Sequence, residues 1–184
     1  MTVEEVFSHL SAHLIEGLMI HAQLSDYYNF LGLKGYSKCH EYHFYCESKS
    51  YRKVSEYYIT HYNKLIPSIQ IPDPQAIPAN WVGYVRKDVD INTRKIATEA
   101  GFDKWVQWEF DTKNMYEEFY RELITLGDVA SANFILELIV DVSEELKDAQ
   151  QFALENKAID YDMSVIVDKQ DELFKKCKHM IKGD

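Results

Sequence analysis

Histidines and carboxylates recur at one-turn spacing in tracts with a helical apolar period. His43 and Glu47 are four residues apart, so both side chains lie on one face of a helix. Such a pair can hold one metal ion, because imidazole nitrogen and carboxylate oxygen both bind transition metals. A His–Glu hydrogen bond without metal is the alternative interpretation.

A second acidic group lies between Gly127 and Glu145. Its apolar face consists of Ile135, Leu138, Ile139 and Val142. Acids collect beside this face at Glu137, Asp141, Glu144 and Glu145. Carboxylates on a core-facing helix are costly unless something compensates for them, and a cation is one such compensation.

Two further glutamates lie in apolar surroundings on other tracts. Glu109 adjoins Trp105 and Trp108. Glu16 lies in a stripe beside the apolar face of the first helix, whose residues are predicted as Phe7, Leu10, Leu14, Leu18 and Leu24. A partly exposed Glu16 at the edge of that face is the alternative to a ligand.

Cap and breaker residues predict four long helices and a short fifth. The first begins after Thr2, which with Glu5 forms a capping box, and ends at Phe30. The others are expected at about residues 36–65, 102–126, 128–157 and 164–181, with Asp128 capping the fourth.

A long crossover, residues 66–101, is predicted between the second and third helices. Four prolines exclude a continuous helix there. We expect packing through Trp81, Val82 and Tyr84, and a short helix over 90–100 that ends at Gly101. The chain is therefore predicted to be all-α, a four-helix bundle in which carboxylates from facing helices build a metal site.

Composition is consistent with one domain over residues 1–184. The net charge of −10 makes nucleic acid an improbable partner. Three cysteines without a C-x-x-C spacing are interpreted as reduced thiols of a cytoplasmic protein. No signal peptide or membrane-spanning tract is indicated.

Several motifs in order resemble the ferritin family over most of the chain. The stretch 128–145, DVASANFILELIVDVSEE, resembles the start of the family's fourth helix. Gly35-Tyr36-Ser37-Lys38 resembles the opening of its second helix, and VIVDKQDEL (165–173) resembles its fifth. The resemblance implies a ferritin-like bundle with the long crossover between helices two and three and a short C-terminal fifth helix.

The resemblance also implies a ligand set. Glu47 lies twelve residues after Gly35, where the family carries a ligand glutamate, and Glu16 and Glu109 match its ligands on helices one and three. The acids Asp141, Glu144 and Glu145 match the accessory iron site of bacterial members.

One departure affects the centre directly. The family has a histidine three residues after the helix-two glutamate, and this chain has Ser50. A hydroxyl is a poor substitute for imidazole as an Fe(II) ligand. Either the centre is degraded, or His43, one turn before Glu47, replaces the missing histidine.

The function that the resemblance implies is binding and storage of iron, Fe(II) and Fe(III), inside a hollow homo-oligomeric cage. A cage of about 24 subunits is favoured over one of about 12. A ferroxidase reaction at an atypical carboxylate site would accompany storage. The alternatives are a catalytically inactive shell or partner subunit, and a mini-ferritin of the starvation DNA-protection type.

Overall fold

Five α-helices make up the part of the chain that the computed structural model describes, residues 1–67 and 89–182. They are α1 (Val3–Phe30), α2 (Lys34–Tyr62), α3 (Ile91–Thr125), α4 (Val129–Ala158) and α5 (Met163–Lys182). The predicted all-α bundle with a short fifth helix is therefore confirmed. The crossover residues Trp81, Val82 and Tyr84 lie outside the described residues.

The predicted helix caps are present. Thr2 Oγ1 accepts the N–H of Glu5 at 3.2 Å, and the Thr2 N–H donates to Glu5 Oε2 at 2.7 Å. Asp128 Oδ1 accepts the N–H of Ser131 at 3.1 Å. Each cap satisfies amide groups that the first turn of a helix leaves without a partner.

Two predicted boundaries were wrong. The second helix ends at Tyr62 rather than near residue 65, because Asn63 adopts a left-handed conformation with φ of 51°. The third helix begins at Ile91 and continues through Gly101, where a break had been expected. A Cβ at Gly101 would lie 2.9 Å from Oη of Tyr28, so this glycine permits close packing of α1 rather than ending a helix.

The core residues of α1 to α4 recur at alternating spacings of three and four residues, which places them on one side of each helix. We call this inward-facing row of positions the seam of the helix. On α1 the buried seam is Phe7, Leu10, Leu14, Gly17, His21, Leu24 and Tyr28. On α3 it is Phe102, Trp105, Glu109, Thr112, Tyr116, Phe119 and Leu123. The predicted core position of Leu18 was wrong by one residue, since Leu18 is only partly buried while Gly17 is buried.

Within the described part of the chain, two apolar clusters fill the core, one at each end of the bundle. One surrounds Tyr28, Phe102 and Trp105. The other surrounds Phe7, Tyr58 and Phe134. The seam positions between them carry polar side chains, so a polar layer crosses the middle of the bundle.

The fifth helix packs along α2. The Gly35 N–H donates to Gln170 Oε1 at 2.8 Å, and a Cβ at Gly35 would lie 2.3 Å from the backbone oxygen of Gln170. Among the described helices, none has an apolar stretch long enough to cross a membrane.

Candidate metal centre

Five ionisable side chains, contributed by all four long helices, form the polar layer. They are His21 from α1, His43 and Glu47 from α2, Glu109 from α3 and Glu145 from α4. In all four helices the seam spacing directs these positions toward the bundle axis, which brings residues far apart in sequence together.

Three of these side chains form a compact group that could hold one metal ion. One ligand atom from each of His21, His43 and Glu109 lies within 4.8 Å of the others, and all three residues are buried. Nε2 of His21 is 3.6 Å from Oε1 of Glu109. The two imidazole rings stack with centroids 5.0 Å apart.

Of the two carboxyl oxygens of Glu109, one has a hydrogen-bond partner among the described residues and the other has none. Trp105 donates its indole N–H to Oε1 at 2.9 Å, while Oε2 is buried without a hydrogen-bond partner among the described residues. Burial raises the pKa of Glu109 well above its usual value, and the nearby carboxylates of Glu145 and Glu47 raise it further. A buried carboxyl oxygen without a partner is costly, and a cation would compensate for it.

Glu47 and Glu145 extend the group. The carboxyl group of Glu47 packs over Gly17 of α1, where an added Cβ would lie 3.0 Å from Cδ and Oε1. Burial, followed by the charge of Glu145, raises the pKa of Glu47 well above its usual value. Glu145 Oε1 lies 3.5 Å from Nδ1 of His43. The carboxylate of Glu145 is therefore close enough to Glu47 and Glu109 to disfavour their ionisation.

His40 contacts the Nδ1 side of the His21 ring and fixes the orientation of that ring. The two Nδ1 atoms are 3.0 Å apart, so one ring donates its proton to the other. If His21 is the donor, its Nε2 presents a lone pair toward Glu109, which is the tautomer a metal ligand requires. Burial lowers the pKa of both His21 and His40 well below the usual value, and this keeps the rings neutral.

A cavity of about 370 Å³ adjoins the group. His43, Glu47 and Glu145 form part of its wall, and so does Ser50. The exposed acids Asp141, Glu144 and Asp148 also line it. The negative charge of these side chains would favour entry of a cation over entry of an anion.

The structure brings together four of the seven residues predicted as metal ligands: Glu47, Glu109, His43 and Glu145. Asp141 and Glu144 line the adjacent cavity. Glu16 is not part of the compact group. It is partly buried, burial raises its pKa, and Lys104 is the charge beside it. Binding of metal by any of these residues stays a prediction.

His21 was missed by the sequence analysis, although a signal for it exists. Phe7, Leu10, Leu14, Leu24 and Tyr28 follow one three-and-four register, and His21 occupies a position of that register. A histidine in an otherwise apolar seam requires a polar partner inside the core, and here the partners are His40 and Glu109.

The donor atoms suit a transition metal. Imidazole nitrogens together with carboxylate oxygens are typical ligands of iron, manganese and zinc in helix bundles. The compact three-residue group has the size for one ion, and Glu47 with Glu145 could supply donors to a second. The donor set fits iron without selecting it over the other two metals.

Solved structures share this fold. An engineered closed form of the Archaeoglobus fulgidus ferritin superimposes with a TM-score of 0.77 at 16% identity, over 95% of this chain and 96% of that one. The open-pore ferritin of the same archaeon gives 0.76 at 15% identity, over 93% and 94%. A humanized archaeal ferritin gives 0.74 at 16% identity, with the same coverage as the open-pore protein.

The helices of this chain therefore form a ferritin fold, as the sequence resemblance predicted. No protein-family model matches the chain. A comparison with curated protein sequences likewise finds no match.

Proposed function

We propose that this chain is a ferritin-family subunit that binds iron inside its bundle, at His21, His43 and Glu109, with Glu47 and Glu145 beside them. The observation that carries the proposal is the buried His–His–Glu group at the middle of a ferritin fold. Such a group is costly in a core unless its charges and lone pairs find a partner.

In this proposal iron is the substrate and the stored product, and the residues of the site attract it and bind it. The acidic cavity wall attracts Fe(II), and Glu47 and Glu109 release their protons as it binds. Their carboxylate oxygens are hard ligands that hold both Fe(II) and Fe(III). Loss of one electron per iron to dioxygen or peroxide then gives ferric ion.

We further propose that the chain assembles into a hollow cage and stores ferric iron there. The support is the similarity in fold to ferritins over nearly the whole chain. The mass of the assembled protein tests it, because a cage of about 24 subunits has about twice the mass of one of about 12, and both are more than about tenfold heavier than a monomer. A mass near 12 subunits would favour the mini-ferritin alternative.

The decisive experiment is an anaerobic Fe(II) titration of the metal-free protein followed by air, with absorbance recorded per subunit. We expect His43→Ala and Glu47→Ala to slow iron oxidation at least tenfold. Glu16→Ala is the matched comparison, because the family resemblance implies for Glu16 a ligand role that this proposal assigns to His21. Oxidation rates in His43→Ala equal to those of the wild type would reject the proposed centre.

A second candidate is a centre that binds one metal ion without oxidising it. The absence of the usual histidine at Ser50 and the one-ion size of the compact group favour it. Tight binding of one ion per subunit with iron oxidation at the rate of free iron would establish this candidate. Saturation near two ions with fast oxidation would exclude it.

A further inference from the structure

Two cysteines meet where α5 packs along α2. Cys39 on α2 and Cys177 on α5 are both buried free thiols of the same core cluster, and they are close enough to shift each other's pKa. Both line the cavity beside His43. They lie 138 positions apart in the sequence, so only the packing of α5 brings them together.

The two thiols are not equivalent. The neighbouring Cys177, together with burial, raises the pKa of Cys39 well above its usual value. The neighbouring Cys39 lowers the pKa of Cys177 despite the opposing effect of burial, and the positive charge of Lys176 acts in the same direction as Cys39. A thiol with more thiolate character beside a second thiol is the arrangement of an attacking and a resolving cysteine.

We propose that Cys39 and Cys177 form a peroxide-reactive dithiol that closes to a disulfide between α2 and α5. The Cys177 thiolate attacks one oxygen of hydrogen peroxide, which breaks the O–O bond, gives a sulfenic acid and releases one water after protonation. The Cys39 thiol then attacks the sulfenic sulfur, forms the S–S bond and releases a second water. Two thiols are oxidised and one peroxide is reduced to two waters.

The cavity provides the route for this reaction. Hydrogen peroxide is small and neutral, so the acidic wall does not exclude it. Leu173, Lys176 and Met180 of α5 line the same cavity. The disulfide would therefore fix the α5 side of the cavity against α2, next to the residues proposed to hold metal.

Cys46 is a built-in control. It lines the same cavity and is partly buried, and burial raises its pKa. Neither Cys39 nor Cys177 is among the groups that shift the pKa of Cys46. General exposure of cavity thiols to peroxide would oxidise Cys46 as well, whereas a specific dithiol would spare it.

The test uses the full-length, metal-free protein, so its outcome is independent of the proposed iron function. The protein is incubated with excess hydrogen peroxide, remaining thiols are blocked, and peptides are mapped by mass spectrometry before and after dithiothreitol. We expect a Cys39–Cys177 linked peptide in the wild type and in Cys46→Ser, loss of two of the three thiols, and full recovery on reduction. The oxidised form should melt about 5 °C or more above the reduced one.

Single variants separate the two roles. In Cys39→Ser, Cys177 should accumulate as sulfenic and sulfinic acid, while in Cys177→Ser, Cys39 should stay reduced; circular dichroism checks that both variants fold. Absence of the linked peptide in the wild type, or oxidation of Cys46 at the same rate as Cys177, would overturn the proposal.

Discussion

The indole N–H of Trp105 donates to Oε1 of Glu109 at 2.9 Å, one helical turn along α3. This bond fixes the carboxyl group and leaves Oε2 free of protein partners among the described residues. Because one oxygen is anchored, the other has a defined position in the polar layer. An isosteric change of Glu109 to glutamine therefore alters the chemistry of this position while it keeps the shape of the side chain.

Replacing Glu109 by glutamine should separate metal binding from stability. The amide keeps an acceptor for Trp105 but removes a carboxyl group whose pKa burial has raised, so the cost of ionising it disappears. The free-energy cost of ionising Glu109 in the folded protein grows as pH rises from the unfolded pKa near 4.5 toward the raised folded pKa. We expect metal-free Glu109→Gln to be as stable as the wild type at pH 5 and about 1 kcal/mol more stable at pH 8.

The same variant should bind Co²⁺, an oxygen-stable substitute for Fe(II), at least tenfold more weakly. Urea unfolding and calorimetric titration are the two measurements. Asp111→Asn is the matched control, because it removes an exposed carboxylate two residues further along α3. Unchanged Co²⁺ affinity in Glu109→Gln would remove Glu109 from the site.

Gly17→Ala should weaken metal binding without unfolding the protein. Alanine stabilises a helix interior by about 1 kcal/mol relative to glycine. Its Cβ would lie 3.0 Å from the Glu47 carboxyl group and 3.3 Å from Cζ2 of Trp108, so Glu47 must move away. We expect a thermal midpoint at or above that of the wild type and several-fold lower Co²⁺ affinity.

A double variant provides the check on this interpretation. In a Glu47→Ala background the added methyl group of Gly17→Ala has no carboxyl group to displace, so it should not lower affinity further. Additive losses in the double variant would show that Gly17 acts through something other than Glu47.

Gly35→Ala should displace α5. The new Cβ would lie 2.3 Å from the backbone oxygen of Gln170, and neither backbone can yield without separating the two helices. We expect faster proteolysis within residues 163–182 and a lower thermal midpoint. Gly127→Asn is the control: Gly127 has φ of 76° and open surroundings, and asparagine tolerates that conformation.

His13 should make stability depend on pH. Its ring stacks on Trp108, its Nε2 is 2.7 Å from Thr112 Oγ1, and burial lowers its pKa to about 4. The folded pKa of His13 lies below the unfolded pKa of 6.5. The contribution of the buried, neutral ring to folding stability is therefore complete above pH 6.5 and is lost as pH falls toward 4. Between pH 7 and 5 the loss is at most about 2 kcal/mol.

His13→Gln keeps an N–H donor for Thr112 but does not titrate. Urea unfolding of the metal-free protein at pH 7 and pH 5 should therefore show a smaller loss of stability in the variant than in the wild type. His21 and His40 make the same pH-dependent contribution to stability in both proteins, so their contribution cancels when the variant is compared with the wild type. An equal loss in both proteins would contradict the assignment.

Much of the fold follows from local signals in the sequence. The Thr2–Glu5 capping box and the Asp128 cap were predicted because each depends on residues within one turn. The apolar periods gave the number of long helices. Glu47 was singled out by its one-turn spacing from His43, and Glu109 by the two tryptophans beside it. The helix end predicted at Gly101 was wrong, because the sequence does not distinguish a glycine that ends a helix from one that allows a neighbouring ring to pack closely.

The sequence by itself determined which face of each long helix turns inward, because the three-and-four spacing is a property of one chain segment. Only the tertiary structure decided which residues meet at the same depth along the bundle. The axial offset between helices depends on loops and on packing against neighbours, and it places His21 rather than Glu16 beside Glu109, and Cys177 beside Cys39. Periodicity fixes the direction of a side chain around its helix and contains no information about the height of its partner on the next one.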